Sequence, residues 1–73
     1  MYKVALRIIF KSGADLNLAQ TCETQEAADT ALSNLAASYA AAETSWLASG
    51  FDDNEMALVT LSEVASVSVG IWQ

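Results

Sequence analysis

Chemistry by side chain needs groups that ionise, coordinate or attack, and this chain has few of them in useful company. It contains no histidine and a single cysteine, Cys22. A triad with a histidine base is therefore closed to it, and one cysteine without histidine cannot assemble the several nitrogen or sulfur ligands of a zinc site. Cys22 has no basic neighbour in sequence to stabilise a thiolate and no second cysteine for redox cycling. Gly13, Gly50 and Gly70 are far apart, so there is no glycine-rich phosphate loop. Asp52, Asp53 and Glu55, with Asn54 among them, offer clustered oxygens. They lack the alternating ligand spacing and mid-loop glycine of a calcium-binding loop, so they read as a solvated acidic loop. The expectation is a protein with no catalytic residues, no metal and no cofactor, and not an enzyme.

What remains is charge and shape. The formal net charge is −6, and its layout is uneven. Lys3, Arg7 and Lys11 are the only basic residues and are spaced by four in the first strand-like segment, while all nine acids follow Ser12. A strand with that spacing would show all three on one side. Such a balance opposes direct binding to a nucleic-acid backbone, which calls for clustered Lys and Arg, and opposes an anionic membrane surface. It suits a protein partner with a basic surface.

Seventy-three residues make one domain, 1–73. A domain this small buries only about 60% of its extended surface, and Cys22 alone cannot add an internal disulfide, so oligomerisation is the support left open. The hydrophobic fraction is 53%, yet fourteen of those residues are alanines, so the apolar volume is modest. Met1 to Phe10 begins like a secretory signal but is interrupted by Arg7 and Lys11. No run approaches the roughly 18 apolar residues of a membrane span. A cytoplasmic location is expected.

The elements that must position these groups follow from periodicity. Tyr2 to Lys11 alternates with a period of two and reads as a strand. Ser12-Gly13 marks a turn, and Asp15 to Gln20 a return strand. A three-residue loop, Ser12 to Ala14, would set Phe10 opposite Leu16, Ile8 opposite Leu18 and Lys11 opposite Asp15, although such loops favour glycine last. Thr24 reads as a helix N-cap, and the helix is expected to run toward Gly50 as a C-terminal stop, with a break near Glu43 to Ser45 as an alternative. Its core face would carry Ala28, Leu32, Leu35, Tyr39, Ala42 and Trp46. Glu55 to Leu61 and Ala65 to Ile71 are expected to pair as the last hairpin. The fold class is α+β with a ββαββ plan: a single four-stranded antiparallel or mixed sheet with one long alanine-rich helix on one face.

The face of the helix opposite the core holds Ala37, Ala40, Ala41, Thr44 and Ala48. It is too small and too uncharged for an ordinary solvent face, which would carry acid–base pairs four residues apart, although alanine is also simply the best helix former. With Asp52, Asp53, Glu55 and the near-terminal Trp72, these residues are the expected protein-interaction surface. Trp72 falls on the side of Ser66 and Ser68, away from Val67, Val69 and Ile71, where with Leu58 it would form an exposed sheet face. The size, acidity and ββαββ plan are similar to those of small phage and mobile-element proteins that act by binding, including inhibitors of host defence nucleases. The function expected is a non-enzymatic, self-associating protein-interaction module, a homodimer that binds another protein. The first alternative is an acidic inhibitor of the anti-defence or anti-CRISPR type that blocks a basic nucleic-acid-binding groove of an enzyme. The second is a small-ligand carrier with a pocket lined by Tyr39, Trp46 and Phe51.

Overall fold

Strand β1, Tyr2–Phe10, is the axis of the molecule. Its alternate residues Val4, Leu6 and Ile8 are sealed from solvent, while Lys3 and Arg7 on the other face are exposed. The computed structural model describes all residues, Met1–Gln73. Strand β2, Asp15–Cys22, pairs antiparallel with one edge of β1, and β5, Val64–Trp72, pairs antiparallel with the other, in the order β2-β1-β5.

The β1–β2 hairpin differs from the expected register by two residues. Ile8 lies opposite Leu16, Leu6 opposite Leu18 and Ile9 opposite Asp15. The loop has three residues, but they are Lys11, Ser12 and Gly13: the Phe10 amide donates to the Ala14 carbonyl (2.8 Å) and the Gly13 amide to the Phe10 carbonyl (2.9 Å). Gly13 stands last with φ +95°, a conformation glycine adopts without steric cost. The preference for glycine at the end of such a loop thus decides the register. Lys11 belongs to the turn and not to the strand, so only Lys3 and Arg7 share the sheet's outer face. The cross-strand ion pair is Arg7 with Asp15, at 3.7 Å.

Helix α1, Gln25–Ala41, starts where the N-cap signal puts it: Thr24 Oγ1 accepts from the Ala27 amide at 3.1 Å. It spans about 25 Å at 1.5 Å per residue and packs across all three strands. Ala28 and Leu35 are buried, with Leu32 and Tyr39 half-buried beside them. The helix stops well short of Gly50. Ala42 is extended, with its amide donating to the Tyr39 carbonyl, and Ser45–Ala48 is a strand, β3. Local chemistry permits the break, because Thr44 and Ser45 are weak helix formers. Tertiary packing rewards it. Reversal of the chain brings Trp46 back against the helix, where its indole Nε1 donates to Ser38 Oγ (2.9 Å) and its ring meets Tyr39 edge-on, with centroids 5.1 Å apart.

The expected β4–β5 hairpin does not form, and the single four-stranded sheet is replaced by a three-stranded and a two-stranded sheet. β4, Ala57–Thr60, pairs antiparallel with β3, with Trp46 opposite Val59 and Leu47 opposite Leu58. A short 3-10 turn, Leu61–Glu63, then carries the chain across to β5. The crossing is tied down by the Leu61 amide on the Thr44 carbonyl and the Lys11 amide on the Glu63 carbonyl. Strand length explains the choice. β5 has nine residues, as β1 does, whereas β4 has four. Pairing β5 with β4 would leave most of its backbone groups on that side without partners.

Candidate protein-interaction surface

Three surfaces lie outside the core. The first is the outer face of the three-stranded sheet. Register places Lys3, Ala5 and Arg7 of β1 beside Asn17 and Ala19 of β2 and Ser68, Gly70 and Trp72 of β5. Trp72 is 58% exposed. Its indole lies over Gly70, so close that a Cβ there would stand 3.1 Å from the ring. The expected placement of Trp72 on the Ser66 and Ser68 side holds. Leu58 is not on this face, because β4 belongs to the other sheet. Trp72, with the small Ala5, Ala19 and Ser68, lines a groove of about 660 Å³ on this face.

Asp52, Asp53 and Glu55 border that same groove and face Lys3 and Arg7 across it. The expected split into a basic strand and a separate acidic remainder is therefore softened. Asp52 is not merely solvated. Its carboxylate accepts from the Thr21 amide (3.0 Å) and from Thr21 Oγ1 (2.6 Å). The side-chain bond first, then the backbone bond, hold its pKa below the ordinary 3.8, with a smaller contribution from the nearby Lys3 charge. The acidic segment is a 3-10 turn, Asp52–Asn54, in which Asp53 (φ +61°) and Asn54 (φ +56°) are left-handed. Asp and Asn tolerate that region better than most residues.

The second surface is the outer face of the β3–β4 hairpin. Trp46, Ala48 and Val59 turn inward and are buried, which leaves Leu47 and Leu58 directly opposite each other on the outside, 54% and 75% exposed. Met56 precedes β4 and is also exposed. Between this hairpin and α1 runs a groove of about 720 Å³, lined by Leu47 and by the polar Thr30, Asn34 and Ser38, with Glu26 at its rim and no basic residue. Sequence reading missed Leu47 and Met56 as surface residues. The alternation Ser45-Trp46-Leu47-Ala48 was available as a signal, but it is four residues long and follows a long helical pattern.

The third surface is the outside of α1, where Ala37, Ala40 and Ala41 are exposed as expected. Thr44 is exposed too but lies beyond the helix in the link to β3. Ala48 is corrected outright. It is 1% exposed, an inward residue of β3 in the hydrophobic core. Of the residues expected to line a ligand pocket, Trp46 and Phe51 are buried in that core and Tyr39 is half-buried beside it. Cys22 is a free thiol buried at the end of β2. No group of three or more Cys, Asp and Glu side chains is placed to hold a metal, and no helix is long and apolar enough to cross a membrane. No protein-family model, curated protein or solved structure matches the chain.

Proposed function

We propose that this chain is a non-enzymatic, acidic protein-interaction module that self-associates and acts by binding another protein. The observation that carries the reading is the Leu47–Leu58 pair. A two-stranded sheet with one face in the core should present polar residues on the other. Here two leucines stand opposite each other in water. An exposed apolar patch on so small a protein supports a contact site. Acids flank it in the chain, with Asp53 and Glu55 just before Met56 and Leu58, and Glu43 before β3. The fitting partner is a protein with an apolar patch rimmed by Lys and Arg.

The test is affinity capture from the native host with the natural chain and with Leu58→Asp. Leu58 is the more exposed of the pair, so the fold tolerates the change, and circular dichroism checks that it does. A protein retained by the natural chain and lost by the variant supports the reading. Identical capture by both sinks this surface as the contact. A second reading, the acidic inhibitor that occupies a basic nucleic-acid-binding groove of an enzyme, draws on the exposed Glu23, Glu26 and Asp29 around the helix start. It requires that added nucleic acid compete with the chain for its captured partner.

A further inference from the structure

The two edges of the three-stranded sheet are treated differently by the rest of the chain. The β2 edge is guarded. It carries Asp15 and Asn17, and Asp52 reaches over to take the Thr21 amide at 3.0 Å. The β5 edge has no such cover. Val64–Trp72 contains no charged residue and no proline, and it is hydrogen-bonded on one side only, to β1. No side chain and no loop elsewhere in the chain bonds to its far edge. Natural sheets protect such edges with charge, proline, bulges or covering elements, because an open row of amides and carbonyls is a template for another strand. The irregularity opposite Ile9 and Phe10 touches only the start of β5, and Ser66–Trp72 is regular.

The inner face at this edge is also unfinished. Val4, Leu6 and Ile8 of β1 are sealed, but Val67, Val69 and Ile71 of β5, which face the same way, are only half-buried. Whatever continues the sheet here would cover them.

We propose that the β5 edge is the self-association surface, and that its occupant is the β5 edge of a second copy of this chain, antiparallel about a two-fold axis. The proposal rests on the self-associating reading above and names its route. Self-complementarity is its warrant. A strand without charge sets no like charges against each other when paired with itself. With the axis through Val69 the regular stretch pairs completely: Val67 lies opposite Ile71 of the other copy, Val69 opposite Val69, and Ser66 opposite Trp72. Apolar inner residues meet apolar ones, and outer residues meet outer ones, as a register with an isologous interface requires. The product is a continuous six-stranded sheet in the order β2-β1-β5-β5-β1-β2, with only the guarded β2 edges exposed. An extended peptide from a different protein is the rival occupant, but nothing on the strand selects a particular foreign sequence.

The experiment combines sedimentation equilibrium with residue-resolved amide hydrogen exchange on the full chain, at high concentration and after dilution. The expected result is a particle of twice 7.7 kDa in which outward-facing β5 amides exchange roughly tenfold or more slowly than in the diluted chain. The variant Val69→Lys places two ammonium groups opposite each other at the axis and is expected to block the pairing; because Val69 packs against the core, circular dichroism establishes whether the variant still folds. A dimer whose β5 amides exchange freely, or one that persists in a folded Val69→Lys variant, overturns the β5 route while leaving self-association intact. A chain that stays at 7.7 kDa at the highest concentration overturns both. A monomer whose β5 amides become protected only when a second protein is added overturns the choice of occupant. If Val69→Lys fails to fold, the exchange pattern of the natural chain decides alone.

Discussion

Trp46 should be the residue whose loss does most to separate the hairpin from the helix. Its side chain is 2% exposed, its indole donates to Ser38 Oγ at 2.9 Å, and its ring meets Tyr39 edge-on. Truncating a buried tryptophan to alanine costs about 3–5 kcal/mol. A 73-residue domain holds roughly 4–11 kcal/mol in total, so Trp46→Ala removes about half of its stability or unfolds it. Ser38→Ala separates the hydrogen bond from the packing. It leaves a buried indole N–H without its partner, at about 1–3 kcal/mol, and regains about 0.5 kcal/mol because alanine is the better helix former. The net expected loss is about 0.5–2.5 kcal/mol. Trp46→Phe removes the other half of the bond, and a double-mutant cycle with Ser38→Ala should return a coupling near 1 kcal/mol. Urea unfolding followed by circular dichroism reads all five chains, Trp46→Ala and the four of the cycle. With a slope of about 1 kcal/mol per molar urea, the effects separate cleanly. Trp72→Phe as a background leaves Trp46 as the only indole, so its emission reports burial directly. If Trp46→Ala costs less than about 1 kcal/mol, or if no coupling to Ser38 is seen, then the return of the chain onto the helix is not what ends α1 at Ala41.

Further outcomes follow from the turn, the acidic segment and the helix surface. Asp52 has its pKa lowered by the Thr21 bonds. Its contribution to stability is therefore complete well above pH 3.8 and is lost as pH falls through 3.8 and then through the lower native value. Asp52→Asn should flatten the decline of melting temperature across that acidic window, and an unchanged profile would show that the tie to β2 carries no linkage. Gly13→Ala should cost about 1–2 kcal/mol from its positive φ alone, since nothing lies within 4 Å of the added methyl; equilibrium unfolding measures it, and a neutral result would mean that the loop can rearrange without strain. The double substitution Ala37→Glu with Ala41→Glu falls on exposed helix positions. It should leave the molar mass of the β5-paired particle unchanged, whereas a halved mass would move the contact to the helix.

How much of this was legible depended on whether a local rule or a long-range competition decided each element. The α+β class, β1, the Thr24 cap and the inward Ala28 and Leu35 follow from short-range periodicity and capping, and the structure agrees with them. Gly13 carried enough information to fix the hairpin register, because a three-residue loop ending in glycine needs Lys11 to be its first residue. A loop that began one residue later, at Ser12, would shift the pairing by two. The end of the helix was not readable from propensity, because Ala41 and Ala42 favour continuation. Beyond the break Trp46 is buried against the helix, on Ser38 and Tyr39, a long-range contact that no local propensity announces. The same holds for β5. Its preference for β1 over the nearer β4 is a matter of nine residues matching nine, which becomes visible only once β4 is known to be short. Of the expected contact residues, Ala37, Ala40, Ala41, Thr44, Asp53, Glu55 and Trp72 are at the surface, and Asp52 is there but engaged with Thr21. Ala48 was misassigned through the same helix end: a residue placed on the outer face of a helix becomes an inward residue of a strand.

Charge separates the two kinds of contact in a way that shape alone does not. Each chain carries −6, so two copies repel at long range. The β5 pairing surface itself is uncharged, and added salt can only relieve the repulsion between the bodies that it joins. A contact between the acid-flanked Leu47–Leu58 surface and a basic partner responds in the opposite sense, because salt screens the attraction that brings the two together. The apolar centre of that contact would remain, so salt should act mainly on its association rate and much less on its dissociation rate. One chain would thus show self-association that strengthens with ionic strength and partner binding that weakens with it. If both weakened together, the acids would have to lie within the self-association surface. That would point to the outer sheet face, where Asp53 and Glu55 stand across a groove from Lys3 and Arg7, rather than to the uncharged edge of β5.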